Sequence, residues 1–461
     1  MSKNSISGRV FNLSNVDLKA RSPWSTLNQI QSVSLSPPEA QTIDGEVSIP
    51  GSKSLTNRAL ILAALANGTS TLSGILKSDD SYWCIDALNS LGIKTELEGD
   101  TITVHGNNAV WPNKNANLYI GAAGTIARFL PGALAVAKNG NWVVEASNSM
   151  SERPVKPLID ALTEMGAKID YLDKDGYFPL RITANELQGG PVSISGKVSS
   201  QFISGVLLAS PYAKKDVTVT IPDHIVQPDY VEITLNLMEK FGVQAQFTKE
   251  LKEIVIPQSE YKACDLKLEA DASTASYFLA LAAITNGRIK ITNLSPENSQ
   301  PDINMINIYE KMGCTVTRGE GFVELVGTPT LQGGFEISML DMSDQTLTLA
   351  AIAPFANGPI TIRDVEHIRY HESDRISAIC TELQKLGIRV EEYKDGLTVY
   401  PGTPLAATLD SYDDHRVAMS LALIGAKIPG IVINDPGCVS KTCPTYFDLL
   451  QQLGVGVKYS S

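Results

Sequence analysis

The sequence has no apolar run that approaches the roughly 20 residues a helix needs to cross a bilayer. Its six cysteines are scattered and none forms a CxxC pair, which argues against a disulfide framework and a cysteine metal site. The net charge of −12 argues against a nucleic-acid-binding surface. No serine-histidine-aspartate triad spacing, metal-ligand cluster or dinucleotide motif is present. We therefore predict a cytoplasmic protein of two or three globular domains that binds neither membranes nor nucleic acids.

Residues 1–40 differ in composition from the rest of the chain. They are rich in Ser, contain few acidic residues and end near Pro37-Pro38. An organelle transit segment has a similar composition, and so has a loosely attached terminal extension. We predict a poorly ordered or accessory extension over 1–40.

An internal repeat organises the remainder of the chain. A helical stretch ends in an apolar residue, then come Gly and a short alternating segment, as in Met165-Gly166-Ala167-Lys168-Ile169. A glycine after a helix is expected to adopt positive φ, and the alternation predicts a half-buried strand. The pattern occurs six times, at Gly92, Gly166, Gly242, Gly313, Gly387 and Gly454. We predict six α/β units of about 70 residues each, in two lobes of three with a ligand cleft between them.

Polar or cationic segments directly precede several apolar helices. Gly51-Ser52-Lys53-Ser54 joins a predicted strand to a helix, whose N-terminal N–H groups and dipole favour an anion. Comparable segments lie at 121–128, 151–154, 199–202, 372–375, 412–416 and 440–442. Each alone is also compatible with a helix cap, a glycine-rich turn or a solvent-exposed loop. Because the protein is acidic overall, a cleft that gathers such cations predicts a small anionic ligand.

Together and in this order, these motifs resemble the 3-phosphoshikimate 1-carboxyvinyltransferases (EPSP synthases) of the enolpyruvyl transferase family, over about residues 41–458. The resemblance implies a two-lobed, inside-out α/β barrel of six βαβαββ repeats, three per lobe. It places one lobe at 53–268, the other at 41–52 with 269–461, and the active site in the interlobe cleft. It also implies a monomer in which substrate binding closes the cleft.

The implied reaction transfers the enolpyruvyl group of phosphoenolpyruvate to the 5-hydroxyl of shikimate 3-phosphate and releases phosphate, through a tetrahedral ketal. By the same resemblance, Asp302 accepts the hydroxyl proton, while Lys53 and Glu372 handle protons at C3 and on the departing phosphate. The implied phosphoenolpyruvate-binding residues are Lys53, Gly124, Arg153, Gln201, Arg375, Arg416 and Lys441. The implied acceptor-binding residues are Ser54, Arg58, Ser199, Ser200, Gln201, Gln227, Asp302 and His371. No metal or cofactor is expected, since the cations themselves neutralise the phosphate.

Several positions depart from the family pattern. His371 stands where Lys is usual, and no Ser lies near Gln227, where the family usually has one. Ala122 stands where Asn is usual, and Phe129 where many members have Pro or Leu. By the resemblance, the first two changes would face the acceptor, whereas the phosphoenolpyruvate positions keep the family's residue types. One alternative is therefore a paralogue that acts on another, possibly unphosphorylated, cyclic acceptor, and a further alternative is a non-catalytic binding paralogue.

Overall fold

A computed structural model describes residues 16–461 of the chain. The strands are β1 (Ser32–Ser36), β2 (Asp44–Val47), β3 (Asn67–Ser73), β4 (Thr95–Glu98), β5 (Thr101–Asn107), β6 (Asn115–Tyr119), β7 (Asn141–Glu145), β8 (Lys168–Tyr171), β9 (Leu180–Thr183), β10 (Gly190–Ser193), β11 (Val217–Thr220), β12 (Gln246–Phe247), β13 (Glu253–Ile256), β14 (Leu266–Lys267), β15 (Arg288–Ile291), β16 (Thr315–Gly319), β17 (Phe322–Val326), β18 (Phe335–Ser338), β19 (Ile360–Arg363), β20 (Val390–Tyr393), β21 (Gly396–Val399), β22 (Ala407–Leu409), β23 (Ile431–Asn434) and β24 (Gly456–Ser460). The α-helices are α1 (Lys53–Leu65), α2 (Asp79–Ser90), α3 (Gly124–Ala135), α4 (Asn148–Ser151), α5 (Lys156–Glu164), α6 (Ser200–Ala209), α7 (Asp229–Lys240), α8 (Ala272–Thr285), α9 (Met305–Lys311), α10 (Thr346–Ile352), α11 (Arg375–Lys385), α12 (His415–Gly425) and α13 (Tyr446–Gln452).

The strands form six four-stranded sheets of one design. In β6-β7-β9-β8, for example, β6 and β7 are parallel, whereas β9 runs antiparallel to both β7 and β8. Helix α3 connects β6 to β7, and α5 connects β7 to β8, which gives one βαβαββ unit. The predicted α/β fold with six repeats is confirmed.

The six repeat glycines all have positive φ, between +77° at Gly387 and +101° at Gly313. Each follows a helix and precedes the next strand of its unit, as Gly166 does between α5 and β8. A residue with a Cβ would be strained in this backbone conformation, which explains the regular recurrence of Gly.

Two separate clusters of buried apolar side chains divide the chain. The first core is built from residues between Leu55 and Leu268. The second core takes residues from Val33 to Ile49 and from Ala270 to Val455. We call the parts of the chain around them the first and second lobes. Their connections run side by side, since Ser52 N donates to Glu269 O at 2.9 Å and Asp271 N donates to Pro50 O at 3.0 Å.

The N-terminal strands complete the second lobe. Strand β1 lies between β23 and β24, and β2 is parallel to β15. The prediction of a poorly ordered or accessory extension is therefore wrong for 32–36. In this strand Val33 and Leu35 are buried, whereas the serines that alternate with them are partly or fully exposed. Residues 1–15 of that predicted extension lie outside the described part of the chain.

The most apolar helices lie inside each lobe and the sheets surround them. Helix α8 is buried along its whole length, as expected for a helix that is apolar on every side. It packs on α10 and α12, while α1, α3 and α6 are grouped in the first lobe. No helix among residues 16–461 has the length and apolar character that crossing a membrane requires.

Candidate active site

A cavity of about 530 Å³ is lined by residues of both lobes. The predicted site residues that line it are Lys53, Ser54, Arg58, Arg153, Ser199, Ser200, Gln201, Gln227, His371, Glu372, Arg375 and Arg416. Gly124 and Lys441 lie beside it, through contacts described below. The structure thus brings together residues that are separated by up to several hundred positions in sequence.

Helix N-termini surround the cavity. Lys53 is the first residue of α1, where Ser52 Oγ accepts a hydrogen bond from Leu55 N at 3.2 Å. Arg375 begins α11, and Arg416 lies in the first turn of α12. Because N–H groups at helix starts point outward with the positive end of the dipole, the cavity attracts anions even before its cations are counted.

Two guanidinium groups lie against Gly124 without a carboxylate partner. A methyl group at Gly124 would lie 3.1 Å from Arg153 Nη1 and 3.4 Å from Arg128 Nη1. Among residues 16–461, neither arginine forms a salt bridge, and the Nε atom of each has no hydrogen-bond acceptor. Burial, together with the neighbouring Arg153 charge, holds the pKa of Arg128 well below its ordinary value. Such a pair is stabilised by an anion that accepts from both side chains. Arg128 was not among the predicted site residues, although it lies one turn beyond Gly124 in a predicted motif.

Gly124→Ala tests whether this pair holds phosphoenolpyruvate. The added methyl group would enter the space beside both guanidinium groups. We expect KM for phosphoenolpyruvate to rise about tenfold, equivalent to roughly 1.4 kcal/mol, with a smaller change in kcat. Steady-state kinetics would show this. Gly402→Ala, at an exposed glycine where an added methyl group would lie 3.1 Å from Ile388 Cδ1, serves as a control for glycine replacement outside the site, and an unchanged KM in Gly124→Ala would contradict the assignment.

The opposite wall is a network of carboxylates around Arg375. Arg375 Nε donates to Asp414 Oδ2 at 2.8 Å, Nη2 to Glu372 Oε2 at 2.9 Å, and Nη1 to Asp344 Oδ1 at 3.2 Å. Arg416 Nη2 also lies 3.2 Å from Asp344 Oδ2. Arg375 is only 2% exposed, so these charges are held in a setting that weakens screening by water. Asp344 thereby stands at the cavity wall between two cations.

Glu372 connects this network to the lysines. Lys441 Nζ lies 3.4 Å from Glu372 Oε1 and donates to Ala122 O, in the other lobe, at 2.8 Å. Burial alone would raise the pKa of Glu372, but Lys441, Arg375 and Arg153 outweigh it and hold the pKa well below its ordinary value. Burial lowers the pKa of Lys53, whose Nζ lies 3.9 Å from Asp80 Oδ2. The resting site therefore holds an ionised Glu372 beside a lysine that releases a proton more readily than usual.

Asp302, the predicted base, does not line the cavity. Its Oδ2 accepts hydrogen bonds from Ser273 Oγ and from Gln345 Nε2, the latter at 2.9 Å, and the residue is 1% exposed. Burial and the adjacent Asp344 charge raise the pKa of Asp302 to about 6. Burial would also raise the pKa of Asp344, but Arg416 and Arg375 outweigh it and hold that pKa at about 2. The ionised carboxylate that lines the cavity is Asp344, which makes it the alternative candidate for the base predicted at Asp302.

All the predicted acceptor residues except Asp302 line the cavity. Arg58 is 1% exposed and donates to Thr234 Oγ1 at 2.8 Å, and its guanidinium carbon lies 5.1 Å from the ring centre of Phe129. Burial lowers its pKa to about 10. Gln227 has φ of 52°, and its Nε2 has no acceptor among residues 16–461. Arg58 and Gln227 thus offer donors that a polar, anionic ligand can use.

His371 and His367 add a pH-dependent contribution to stability. Burial, with Arg375 nearby, lowers the pKa of His371 to about 3, and burial lowers that of His367 to about 4, from an ordinary 6.5. Between pH 6.5 and 4 the unfolded chain therefore binds protons at these imidazoles that the folded chain does not. Their contribution to the free energy of unfolding falls as pH falls, by up to about 1.4 kcal/mol per pH unit and per group. Burial raises the pKa values of Asp302 and Asp435 to about 6, so their contribution to the free energy of unfolding increases as pH falls.

Replacing one imidazole separates these effects. We expect His371→Asn to lose less unfolding free energy than the wild-type protein between pH 6.5 and 4.5. Urea denaturation at several pH values would measure this. Tyr370→Asn, at the exposed neighbouring position, should retain the wild-type pH dependence, and the wild-type dependence in His371→Asn would refute the lowered pKa of His371.

Comparisons with known proteins give the family of the chain. Residues 38–450 match the family pattern of EPSP synthase (3-phosphoshikimate 1-carboxyvinyltransferase). The chain is 58% identical over 445 residues to 3-phosphoshikimate 1-carboxyvinyltransferase 2 of Halalkalibacterium halodurans, covering 96% of this chain and 99% of that one. It is 43% identical over 407 residues to the 3-phosphoshikimate 1-carboxyvinyltransferase of Trichormus variabilis, covering 88% and 95%.

Solved structures share the fold. EPSP synthase from Acinetobacter baumannii superimposes with a TM-score of 0.79 at 25% identity, covering 94% of this chain and all of that one. The enolpyruvyl transferase NikO from Streptomyces tendae has the same fold, with a TM-score of 0.74 at 18% identity and coverage of 93% and 99%. On the family match and the identity to these relatives, the chain belongs to the EPSP synthase (3-phosphoshikimate 1-carboxyvinyltransferase) family.

Proposed function

We propose that this enzyme transfers the enolpyruvyl group of phosphoenolpyruvate to the 5-hydroxyl of shikimate 3-phosphate and releases phosphate, on the shikimate pathway to chorismate. The observation that carries the proposal is the pair of uncompensated guanidinium groups of Arg128 and Arg153 at Gly124. This pair faces a wall where Glu372, Lys441 and Arg375 supply proton-transfer groups and further positive charge. A small substrate with two anionic groups and a reactive double bond fits between them.

Phosphoenolpyruvate lies between the lobes in this proposal. Arg153 and Arg128 bind one anionic group of the substrate. Lys53, Lys441 and Arg416 bind the other. Gln201 and Arg375 are the remaining substrate-binding residues. Arginine binds carboxylate and phosphate oxygens through paired N–H groups, whereas Lys supplies a compact charge. Binding the substrate neutralises positive charge around Glu372, which raises its pKa toward the range needed for proton transfer.

The reaction proceeds by addition and elimination. Asp344 takes the proton of the acceptor 5-hydroxyl as the hydroxyl oxygen bonds to C2. At the same time Glu372, protonated once the substrates are bound, gives its proton to C3, and the tetrahedral ketal forms. Glu372 then takes a proton from C3 while the C2–O bond to phosphate breaks and Lys53 protonates the leaving group. Each proton transfer acts at a carboxylate or amine already lining the cavity. The helix N-termini stabilise the charge on the phosphate as it leaves.

The acceptor occupies the end that holds Arg58. Arg58 and Ser54 take its carboxylate, while Ser199, Ser200, Gln227 and His371 surround its phosphate. His371 Nδ1 lies 3.2 Å from Arg375 Nη1, which favours the neutral ring with a donor at Nε2. A bound phosphate dianion would raise the pKa of His371 and allow it to replace the usual Lys. We also propose that the enzyme acts as a cytoplasmic monomer whose lobes, 53–268 and the remaining segments from residue 32 onward, close over both substrates.

Phosphate release from phosphoenolpyruvate, measured with shikimate 3-phosphate and then with unphosphorylated shikimate, tests the proposed function. We expect turnover only with the phosphorylated acceptor, with the enolpyruvyl ether identified by mass spectrometry. Turnover with shikimate alone, or only with another acceptor, would show that His371 and Gln227 have redirected the enzyme. No turnover with any acceptor would favour the non-catalytic alternative.

A further inference from the structure

Residues 17–24 cross from one lobe to the other, ahead of the family match that begins at residue 38. On the second lobe, Arg21 Nη2 contacts Asp435 Oδ2 at 2.5 Å and Asp413 Oδ1 at 3.0 Å. The Arg21 side chain is 3% exposed and Asp435 is fully buried, so the pair is enclosed by protein. Asp17 N also donates to Asp413 Oδ2 at 3.2 Å. This end of the segment is therefore fixed to the second lobe.

The same segment is bound to the first lobe. Asp17 Oδ2 accepts from both the N and Oγ of Ser149, each at 2.8 Å. The carbonyl of Ala20 accepts from Trp83 Nε1 at 2.8 Å, and that of Lys19 accepts from Tyr119 OH at 2.7 Å. The Trp24 ring meets Tyr82 edge to face, with 5.2 Å between ring centres. One short segment thus makes polar contacts to both lobes.

A further contact leads from the segment to a phosphoenolpyruvate cation. Ser22 N donates to Asp79 Oδ1 at 2.8 Å, and Asp79 Oδ2 accepts from Ser440 Oγ of the other lobe. Ser440 directly precedes Lys441. A second cavity, of about 350 Å³, is lined by Asp17, Ala20 and Arg21 of this segment and also by Arg153, Glu372 and Lys441. The segment therefore closes the space behind the phosphoenolpyruvate side of the site.

We propose that residues 17–24 form an interlobe clasp that positions Lys441 and Arg153 to bind phosphoenolpyruvate before the acceptor arrives. In a two-lobed transferase without such a link, acceptor binding must itself bring the cations together, so the two substrates bind with strong mutual enhancement. A clasp holds the lobes partly closed before any substrate binds, so binding of one substrate increases the affinity for the other by less. The part of this inference that concerns phosphoenolpyruvate binding rests on the proposed function.

Two variants weaken the clasp, each at its contacts to one lobe. Asp17→Ala removes the bonds to Ser149, and Arg21→Met removes the charged contacts to Asp413 and Asp435. Titration calorimetry would give the affinity for phosphoenolpyruvate with and without saturating shikimate 3-phosphate. We expect affinity without the acceptor to fall about tenfold, as when the competent population falls to roughly one tenth, and affinity with the acceptor bound to fall much less. Lys19→Ala, at an exposed side chain of the same segment, should behave like the wild-type protein.

A measurement without any ligand tests the clasp independently of the site. Small-angle scattering should show a larger radius of gyration for Asp17→Ala and Arg21→Met than for the wild-type protein and Lys19→Ala. Unchanged radii, or equal losses of affinity with and without acceptor, would overturn the proposal. If Arg21→Met fails to fold, Asp17→Ala decides the result, because it leaves the buried Arg21–Asp435 pair intact. An Arg153→Met variant that binds phosphoenolpyruvate as well as wild type would refute the site assignment, while the radii would still decide the clasp.

Discussion

Asp344→Asn is expected to lower kcat by about 10²- to 10⁴-fold, the usual contribution of a positioned acid or base. Asn keeps the size of the side chain, and its one oxygen can still accept from Arg375 or from Arg416, but it cannot take the proton of the acceptor hydroxyl. Arg375 keeps Asp414 and Glu372 as partners, so the fold should survive. Steady-state and single-turnover measurements of phosphate release would determine the loss, with substrate affinities checked separately.

The matched variant is Asp302→Asn. Asn at this position can still accept from Ser273 Oγ and Gln345 Nε2, and the residue lies behind the cavity wall. We expect it to keep most of the wild-type kcat. The opposite ranking, with Asp302→Asn the weaker enzyme, would restore Asp302 as the base and exclude Asp344.

Arg375→Met is expected to lower the free energy of unfolding by about 3–5 kcal/mol, the usual effect of removing one partner of a buried charge network. Asp414 is fully buried and accepts from Arg375 through both carboxylate oxygens, so it would be left with its negative charge poorly compensated. Glu372 and Asp344 would lose a cation at the same time. Activity should fall as well, since all three carboxylates would shift. Chemical denaturation with circular dichroism would measure the stability change.

Arg363→Met provides the control for that experiment. Arg363 Nη1 lies 3.1 Å from Asp395 Oδ1, a distance similar to those in the buried network, but the two side chains are 35% and 37% exposed. Solvent-exposed ion pairs contribute less than about 1 kcal/mol. If Arg363→Met lowered the free energy of unfolding as much as Arg375→Met does, burial of the ion pair would not determine the loss of stability.

The repeated architecture could be predicted from sequence because one backbone requirement recurs in it. Positive φ after a helix selects Gly, and six such glycines at similar spacing were visible without any structure. The cationic segments were also predictable, since each precedes an apolar helix whose N-terminus favours anions. Which of two similar aspartates faces the ligand was not predictable. Asp302 and Asp344 both precede short helices, and only three-dimensional packing places Asp344 in front.

The N-terminal part of the structure was missed for a different reason. The segment Ser32–Ser36 has apolar residues only at Val33 and Leu35, so its composition suggested an extension although its alternation fits a strand. Its partner strands lie about 400 residues away, at Ile431–Asn434 and Gly456–Ser460. No pattern within the segment itself predicts that it pairs with them. Arg128 belonged to a recognised motif, but its lack of a carboxylate partner became visible only in the folded protein.

The strand pairings also set the order in which a growing chain can fold. The first lobe has all its strands once residue 267 has been synthesised, when β14 pairs with β3. Strand β1, although made first, must wait for β23 and β24 at the end of the chain, and β2 must wait for β15. Nascent chains therefore carry one folded lobe and two unpaired strands for much of translation, and such strands are prone to association with other chains. The serines that alternate along β1 keep this waiting strand polar on one face, which limits that association until synthesis ends.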